Sequence, residues 1–279
     1  MLLQRVITAV VLLALLLPAL FAAQPWPFAL ASLLLIAAAA WEWARLNGVA
    51  TPAALGPAVL LGLAGAWALY TGSTARWSST WWWGVTGAWV VGGALALHGG
   101  PAAWPRWPAA LRLLIGLVIL WAGWLALVQA RSASINFVLS TLCVVWAADI
   151  GAYFAGRQFG RRKLAPSISP GKTWEGAVGG LVAVWLLGVA WMTWVDALLP
   201  VDGRSLFALL AAPFGWAGLF VLCMGLAALS VVGDLFESLV KRAAGAKDSS
   251  RLLPGHGGVL DRIDALLPVL PAALALASW

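Results

Sequence analysis

Toward its end the chain reads GDLFESLVKR, residues 233–242, and then KDSSRLLPGHGGVLDRID, residues 247–264. In helical register Asp234, Glu237 and Lys241 stand at i, i+3 and i+7 on one face, and Asp261 and Asp264 form a second i, i+3 carboxylate pair. Lys241, Arg242, Lys247 and Arg251 set cations beside these carboxylates, together with Asp248 and one of the two histidines, His256. PGHGG supplies three glycines, which let backbone come close to backbone or to a ligand. Magnesium is bound through one or two carboxylates plus substrate phosphates, while lysine and arginine hold the remaining phosphate charge. The pattern therefore points to phosphoryl or nucleotidyl transfer.

A second polar stretch, DIGAYFAGRQFGRRKLAPSISPGKTWEG, covers residues 149–176. Its GKT is no phosphate-binding P-loop, because that motif needs a glycine five residues before Gly171 and position 166 is proline. Ser169, Lys172 and Thr173 still put two hydroxyls and a lysine just ahead of an expected helix, and a helix N-terminus beside a lysine suits phosphate. The plainer reading is a cap, with Thr173 or Ser169 starting the helix and Lys172 facing lipid headgroups. Asp149 lies within or at the edge of an apolar stretch, where a carboxylate is costly unless it is paired or faces water. It shares a face with Tyr153 and precedes Arg157, so it either pairs with a loop arginine or lines a polar cavity.

Other chemistries fit poorly. The histidines, His98 and His256, are far apart and Cys143 and Cys223 fall in apolar stretches, which disfavours zinc and predicts no disulfide. No G-x-S-x-G elbow occurs for a serine hydrolase. A salt-bridged loop would balance charge but would not explain why glycines, histidine and paired carboxylates cluster.

The elements that must position these residues are membrane helices. The chain has 279 residues, 63% hydrophobic and only 10% charged, against the half apolar and quarter charged of soluble domains. Apolar stretches fall at 6–23, 26–41, 53–70, 81–98, 111–130, 135–155, 176–199, 206–232 and 259–279. Each approaches the roughly 20 residues that cross a bilayer. The expected fold is all-α, a polytopic transmembrane bundle of about nine spans, with the first stretch kept as an uncleaved helix. Tryptophans near segment ends, such as Trp81 to Trp83, Trp104 and Trp107, suit interfacial belts. With alternating loops, all 17 basic residues except Arg76, Arg131 and Arg204 fall on one side, which predicts a cytoplasmic amino terminus and cytoplasmic charged loops. The net charge of +7 suits anionic headgroups, and without an aromatic-rich soluble module nothing suggests nucleic acid. Residues 1–130 are expected to serve structure, lipid groove and dimer contact. Residues 131–279 are expected to form the catalytic region, with loops 156–175 and 233–262.

The run SLVKRAAGAKDSSRLLPGHGGVLDRID, residues 238–264, resembles the signature of the phosphatidate cytidylyltransferases, the CDP-diacylglycerol synthases, with every fixed position filled. The GR-x-FG, K-L-x-P-x-I-S-P and KT-x-EG patterns of residues 156–176 resemble that family's second characteristic region. The resemblance covers about the second half of the chain. It implies CTP plus phosphatidate giving CDP-diacylglycerol and diphosphate, a requirement for Mg2+ with a second cation left open, and a homodimer in a bacterial-type inner membrane. By position, Asp234 and Asp261 correspond to the family's metal-binding aspartates. Lys241, Arg242, Lys247, Asp248, His256 and Asp264 fall on further fixed positions. The expectation is in-line attack by the phosphate monoester of phosphatidic acid on CTP, with Lys172, Lys241, Arg242 and Lys247 screening charge and His256 either donating to the diphosphate or, as the preferred reading, bracing the PGHGG turn. A related enzyme acting on a polyprenyl phosphate would keep the metal loop and change the lipid groove. CDP-alcohol phosphotransferases are disfavoured because their D-G-x2-A-R pattern is absent, and a transporter would spread its carboxylates through bilayer depth.

Overall fold

In hydrocarbon every backbone N–H and C=O needs an internal partner, so apolar stretches of this length fold as helices. The computed structural model describes residues 2–75 and 77–278, which leaves Arg76 outside the described residues. Its helices are α1 (Leu2–Leu20), α2 (Trp26–Leu46), α3 (Leu55–Tyr70), α4 (Ser79–Gly99), α5 (Ala109–Ala133), α6 (Ile135–Phe159), α7 (Trp174–Ala190), α8 (Asp196–Leu198), α9 (Leu206–Ala243), α10 (Leu260–Ile263) and α11 (Leu266–Leu276). A π-helical turn, Trp191–Val195, joins α7 to α8. Among the described residues six segments are long and apolar enough to cross a membrane: α1, α2, α5, α6, α7 through α8, and α9. At 16 residues α3 is shorter, and in α4 glycine, serine, threonine and tryptophan dilute the apolar run.

Three differences from the sequence expectation shape the site. The first is the length of α9: it has 38 residues and runs through FESLVKR to Ala243 instead of ending near 232. Pro213 and Gly215, at φ 62 and ψ −162, bend it early in its course. Asp234, Glu237 and Lys241 therefore ride on its last turns rather than in a loop. The second is the C-terminal stretch, which divides after α10 and leaves α11 only 11 residues, about 16 Å of helix. Buried along nearly its whole length and packed against α4, α5, α6 and α9, α11 is a central half-length helix that begins just after Asp264. The third is a two-stranded antiparallel hairpin within the all-α frame, β1 (Lys163–Ala165) and β2 (Ser169–Thr173), with Lys163 opposite Thr173 and Ala165 opposite Ser169.

The pairing of α6 with α7 is the closest in the bundle and depends on small residues. A Cβ on Gly151 would stand 2.7 Å from the carbonyl oxygen of Gly179, and one on Gly180 would stand 2.7 Å from that of Ala148. This is the small-residue contact that lets membrane helices approach backbone to backbone, and it brings Asp149 of α6 alongside the segment that enters α7. At the opposite end Asp202 accepts the N–H groups of Ile135 and Asn136 at 2.6 and 3.0 Å, and Asp196 accepts from Ser205 Oγ at 2.5 Å. These two aspartates are thereby committed to helix ends.

Candidate active site

The two polar stretches meet at a cavity of about 430 Å3 whose lining includes Asp149, Tyr153, Arg157, Lys172, Thr173 and Asp234. That volume is in the range of small-molecule sites. Asp234, on α9, faces Lys172, at the end of β2, with Oδ2 and Nζ 2.5 Å apart. Its Oδ1 lies 3.3 Å from Ser238 Oγ, one helical turn on. Thr173 caps α7, its hydroxyl accepting the Gly176 N–H at 3.1 Å, so the plainer reading holds for Thr173 while Lys172 serves the cavity. Asp149 lines the cavity rather than pairing with Arg157, whose Nη1 donates to the Tyr153 hydroxyl at 3.1 Å. Ser169 stands in β2 opposite Ala165 and outside the lining. Glu175 secures the hairpin by accepting the N–H groups of Arg161 and Arg162 at 3.0 and 3.2 Å.

A second cluster lies one to two turns along α9. Lys241 bridges two carboxylates: it pairs with Glu237 on its own helix and donates to Asp261 Oδ1 at 2.6 Å. Asp261 Oδ2 accepts from Ser249 N at 3.0 Å, Ser249 Oγ at 2.9 Å and Gly258 N at 2.7 Å. Both oxygens of Asp261 thus hold the signature loop together. Arg242 ties that loop to the hairpin, donating from Nε to the Ile168 carbonyl at 3.3 Å and from Nη1 to that of Ala246 at 3.2 Å. The His256 carbonyl accepts from Arg262 at 3.0 and 2.5 Å, and its N–H donates to the Leu253 carbonyl at 2.8 Å. The turn is therefore braced by the backbone of His256. Gly255 and Gly257 hold positive φ of 75 and 83, which L side chains rarely adopt.

Lys247 and Asp248 sit elsewhere. Both are exposed and line a separate polar cavity of about 550 Å3 with Arg45, Ser250 and Arg251. The two pockets therefore differ chemically: Lys172 and Arg157 balance Asp149 and Asp234 in the first, and the second is mainly basic. An apolar groove of about 800 Å3 runs along α4 and α5 past Trp81, Trp89 and Val118, with Phe236 of α9 also in its wall.

Charge distribution sets the two loop carboxylates apart. Burial tends to raise Asp261, but Lys241 and the Gly258 N–H outweigh it and hold the carboxyl at about 2. Asp264 moves the other way, pushed up by burial and then by the nearby Asp234 carboxylate. Among the described residues no group of three or more His, Cys, Asp or Glu is arranged to hold a metal alone. The donor set still fits magnesium, which takes one or two carboxylates and completes its shell with water and substrate phosphate. Asp234 offers hard oxygens to a cavity, opposite a cation, with another carboxyl close enough to feel its charge.

Glu42 escaped the reading of the sequence. It lies on α2, fully buried, and accepts from Val259 N at 2.9 Å, Leu260 N at 2.7 Å and Ser250 Oγ at 2.5 Å. The signal was present, since Glu42 is one of ten acidic residues in the chain and stands in a helix whose other charged residue is Arg45 in its last turn, and an ionisable group there implies a partner.

The profile of the Cytidylyltransferase family matches residues 3–279. The chain is 42% identical to the phosphatidate cytidylyltransferase of Pseudomonas aeruginosa over 297 aligned positions, covering 100% of this chain and 99% of that one. It is 36% identical to the phosphatidate cytidylyltransferase of Haemophilus influenzae over 301 positions, covering 97% and 96%. With the protein of the same name from Brucella melitensis the identity is 51% over 131 positions, 47% of this chain and 42% of that one.

Proposed function

The chain belongs to the cytidylyltransferase family, and from that premise we propose that it transfers a cytidylyl group from CTP to phosphatidate, giving CDP-diacylglycerol and diphosphate. The observation that carries the reading is the cavity in which Lys172 and Asp234, from the two charged stretches, stand 2.5 Å apart beside Asp149.

A phosphate oxygen of phosphatidate attacks the α-phosphorus of CTP. The bond from that phosphorus to the bridging oxygen breaks, and diphosphate leaves with the electron pair. The nucleophile needs little help from a base, because a phosphate monoester with a second pKa near 6 is largely ionised at neutral pH. Catalysis then rests on positioning and charge stabilisation. Asp234 and Asp261 would hold Mg2+, which supplies neutralisation of the phosphate oxygens when bound. Lys172 and Lys241, which neutralise these carboxylates in the free protein, stabilise the charge that gathers on the leaving diphosphate. Arg242 keeps hairpin and signature loop in one register, and the mainly basic cavity of Lys247 and Arg251 suits the outer phosphates. The apolar groove along α4 and α5 suits an acyl chain.

The same reading sets the amino terminus and the site on the cytoplasmic side of a bacterial-type inner membrane, with two copies forming a homodimer. The count of about nine crossings takes α3, α4 and α11 with the six long spans. Cysteine-accessibility labelling of the loops would count crossings and assign sides. Purified protein given CTP, Mg2+ and either phosphatidate or a polyprenyl phosphate tests the substrate. Turnover with phosphatidate supports the proposal, and turnover with the polyprenyl phosphate alone replaces it.

A further inference from the structure

The carboxylate of Glu42 is built into the signature loop from a helix more than 200 residues earlier. Its two oxygens divide the donors: Val259 N and Ser250 Oγ reach Oε1 at 2.9 and 2.5 Å, and Leu260 N and Ser249 Oγ reach Oε2 at 2.7 and 3.2 Å. Ser249 is the hinge of the arrangement, because the same hydroxyl lies 2.9 Å from Asp261 Oδ2 and its N–H donates to that oxygen at 3.0 Å. Gly258 completes it, since a Cβ there would run first into Ser249 Oγ and then into the Glu42 carboxylate, 2.7 Å from its Cδ. Its φ is not positive, unlike those of Gly255 and Gly257, so this glycine is required by the close approach of Ser249 Oγ and the Glu42 carboxylate rather than by a turn.

From this we infer that Glu42 is the positioning residue of the signature loop: by accepting the Val259 and Leu260 N–H groups and sharing Ser249 with Asp261, it fixes where Asp261 presents its carboxylate. Asp261 follows these residues directly in the chain, and its Oδ2 accepts from the N–H of Gly258, which adjoins Val259. A shift of the 258–260 backbone is thus passed to Asp261 through one peptide unit and one serine. The inference rests on the reading of Asp261 as a site residue, and it extends the site to a helix that carries no signature residue.

Glu42→Gln is the selective perturbation. A carboxamide keeps one oxygen acceptor and turns an NH2 toward the second backbone N–H, so donor faces donor at Val259 or Leu260. Residues that orient metal ligands alter metal affinity or activity by about 10–100-fold when changed. We expect Glu42→Gln to raise the Mg2+ concentration for half-maximal turnover at least tenfold, on the order of the lower end of that range, and to lower kcat, with the KM for phosphatidate little changed. Glu42→Asp should restore part of the loss. A merely structural defect would reduce the active fraction and hence apparent kcat, but would leave the Mg2+ midpoint in place. Hydrogen exchange of metal-free protein gives a readout independent of turnover, so a failure of the proposed activity in wild type would be told apart: residues 247–264 should exchange faster in Glu42→Gln while α5 and α6 keep wild-type protection. Should Glu42→Gln not fold, Ser250→Ala removes a donor to Glu42 without touching Asp261, and should shift midpoint and exchange in the same direction by less. A Mg2+ midpoint and 247–264 exchange equal to wild type in the folded variant would overturn the inference.

Discussion

Replacing Asp234 by asparagine separates the chemistry of the site from the stability of the fold. The ion pair that it breaks is one-quarter exposed on both sides, 25% and 27%, with Nζ and Oδ2 at 2.5 Å. Exposed pairs contribute about 0.2–1 kcal/mol and breaking buried ones costs about 3–5 kcal/mol, so this one belongs at about 1–2 kcal/mol. Two effects reduce the net loss. Asparagine retains an oxygen for Ser238, and removal of the Asp234 charge relieves Asp264, whose carboxyl that charge pushes up. The variant should therefore fold, with a melting temperature a few degrees lower. Turnover should suffer far more, because one hard anionic donor is gone and Lys172 loses its carboxylate partner. Removing a single preorganised electrostatic contact typically lowers kcat by about 10²–10³-fold, and a metal carboxylate should reach at least that. The assay is CDP-diacylglycerol formation in mixed micelles with saturating CTP, phosphatidate and Mg2+, run beside size-exclusion and melting profiles. Wild-type turnover in folded Asp234→Asn would refute the assignment of Asp234.

Lys172→Met should lower kcat by about 10²-fold or more while leaving the hairpin intact, since the N-cap is Thr173, and circular dichroism with kinetics would check both. In metal-free protein Asp264 stays protonated above about 3.9, where the unfolded chain has lost that proton, so the folded state binds more protons and stability falls as pH rises through the window up to its raised pKa. Thermal melts against pH should show this decline, and Asp264→Asn should flatten it. Asp261 has the opposite sign: its contribution is fully present above about 3.9 and is lost as pH falls through about 2, so Asp261→Asn should reduce acid sensitivity in the same melts. Gly258→Ala should lower stability by about 1–3 kcal/mol, because the new Cβ would run into Ser249 Oγ and the Glu42 carboxylate and overpacking costs about that much.

Much of this site was legible because its residues violate the apolar rule of the chain. Lys172, Asp234, Lys241 and Asp261 are conspicuous in a sequence that is 63% hydrophobic, and helical spacing alone put Asp234, Glu237 and Lys241 on one face. What spacing could not give was pairing across distant segments. The resemblance set Asp234 and Asp261 on one metal; in the free protein Asp234 faces Lys172, and Asp261 is held by Lys241, Ser249 and Gly258. Helix ends were also hard to read, since hydropathy falls at Asp234 although FESLVKR continues the helix to Ala243. The half-length and central place of α11 were equally hidden, because Leu266–Leu276 is as apolar as any crossing helix and only the structure shows its break from α10 and its burial among α4, α5, α6 and α9. The hairpin stayed hidden behind Pro166 and Pro170, which suggest a loop and are compatible with a two-stranded edge. Glu42 illustrates the remaining limit: a single acidic residue in α2 has no local pattern, and its partners lie in a loop at the other end of the sequence.

The most direct test of the central claim is the fate of phosphorus in a reaction of purified protein with phosphatidate, Mg2+ and CTP labelled at either its α- or its γ-phosphorus. Transfer at the cavity of Asp149, Lys172 and Asp234 predicts label in the lipid product only from the α-position, label in free diphosphate only from the γ-position, and both products formed at least about 10²-fold more slowly by Asp234→Asn. Lipid labelled from the γ-position, or undiminished α-label transfer by Asp234→Asn, would contradict the account.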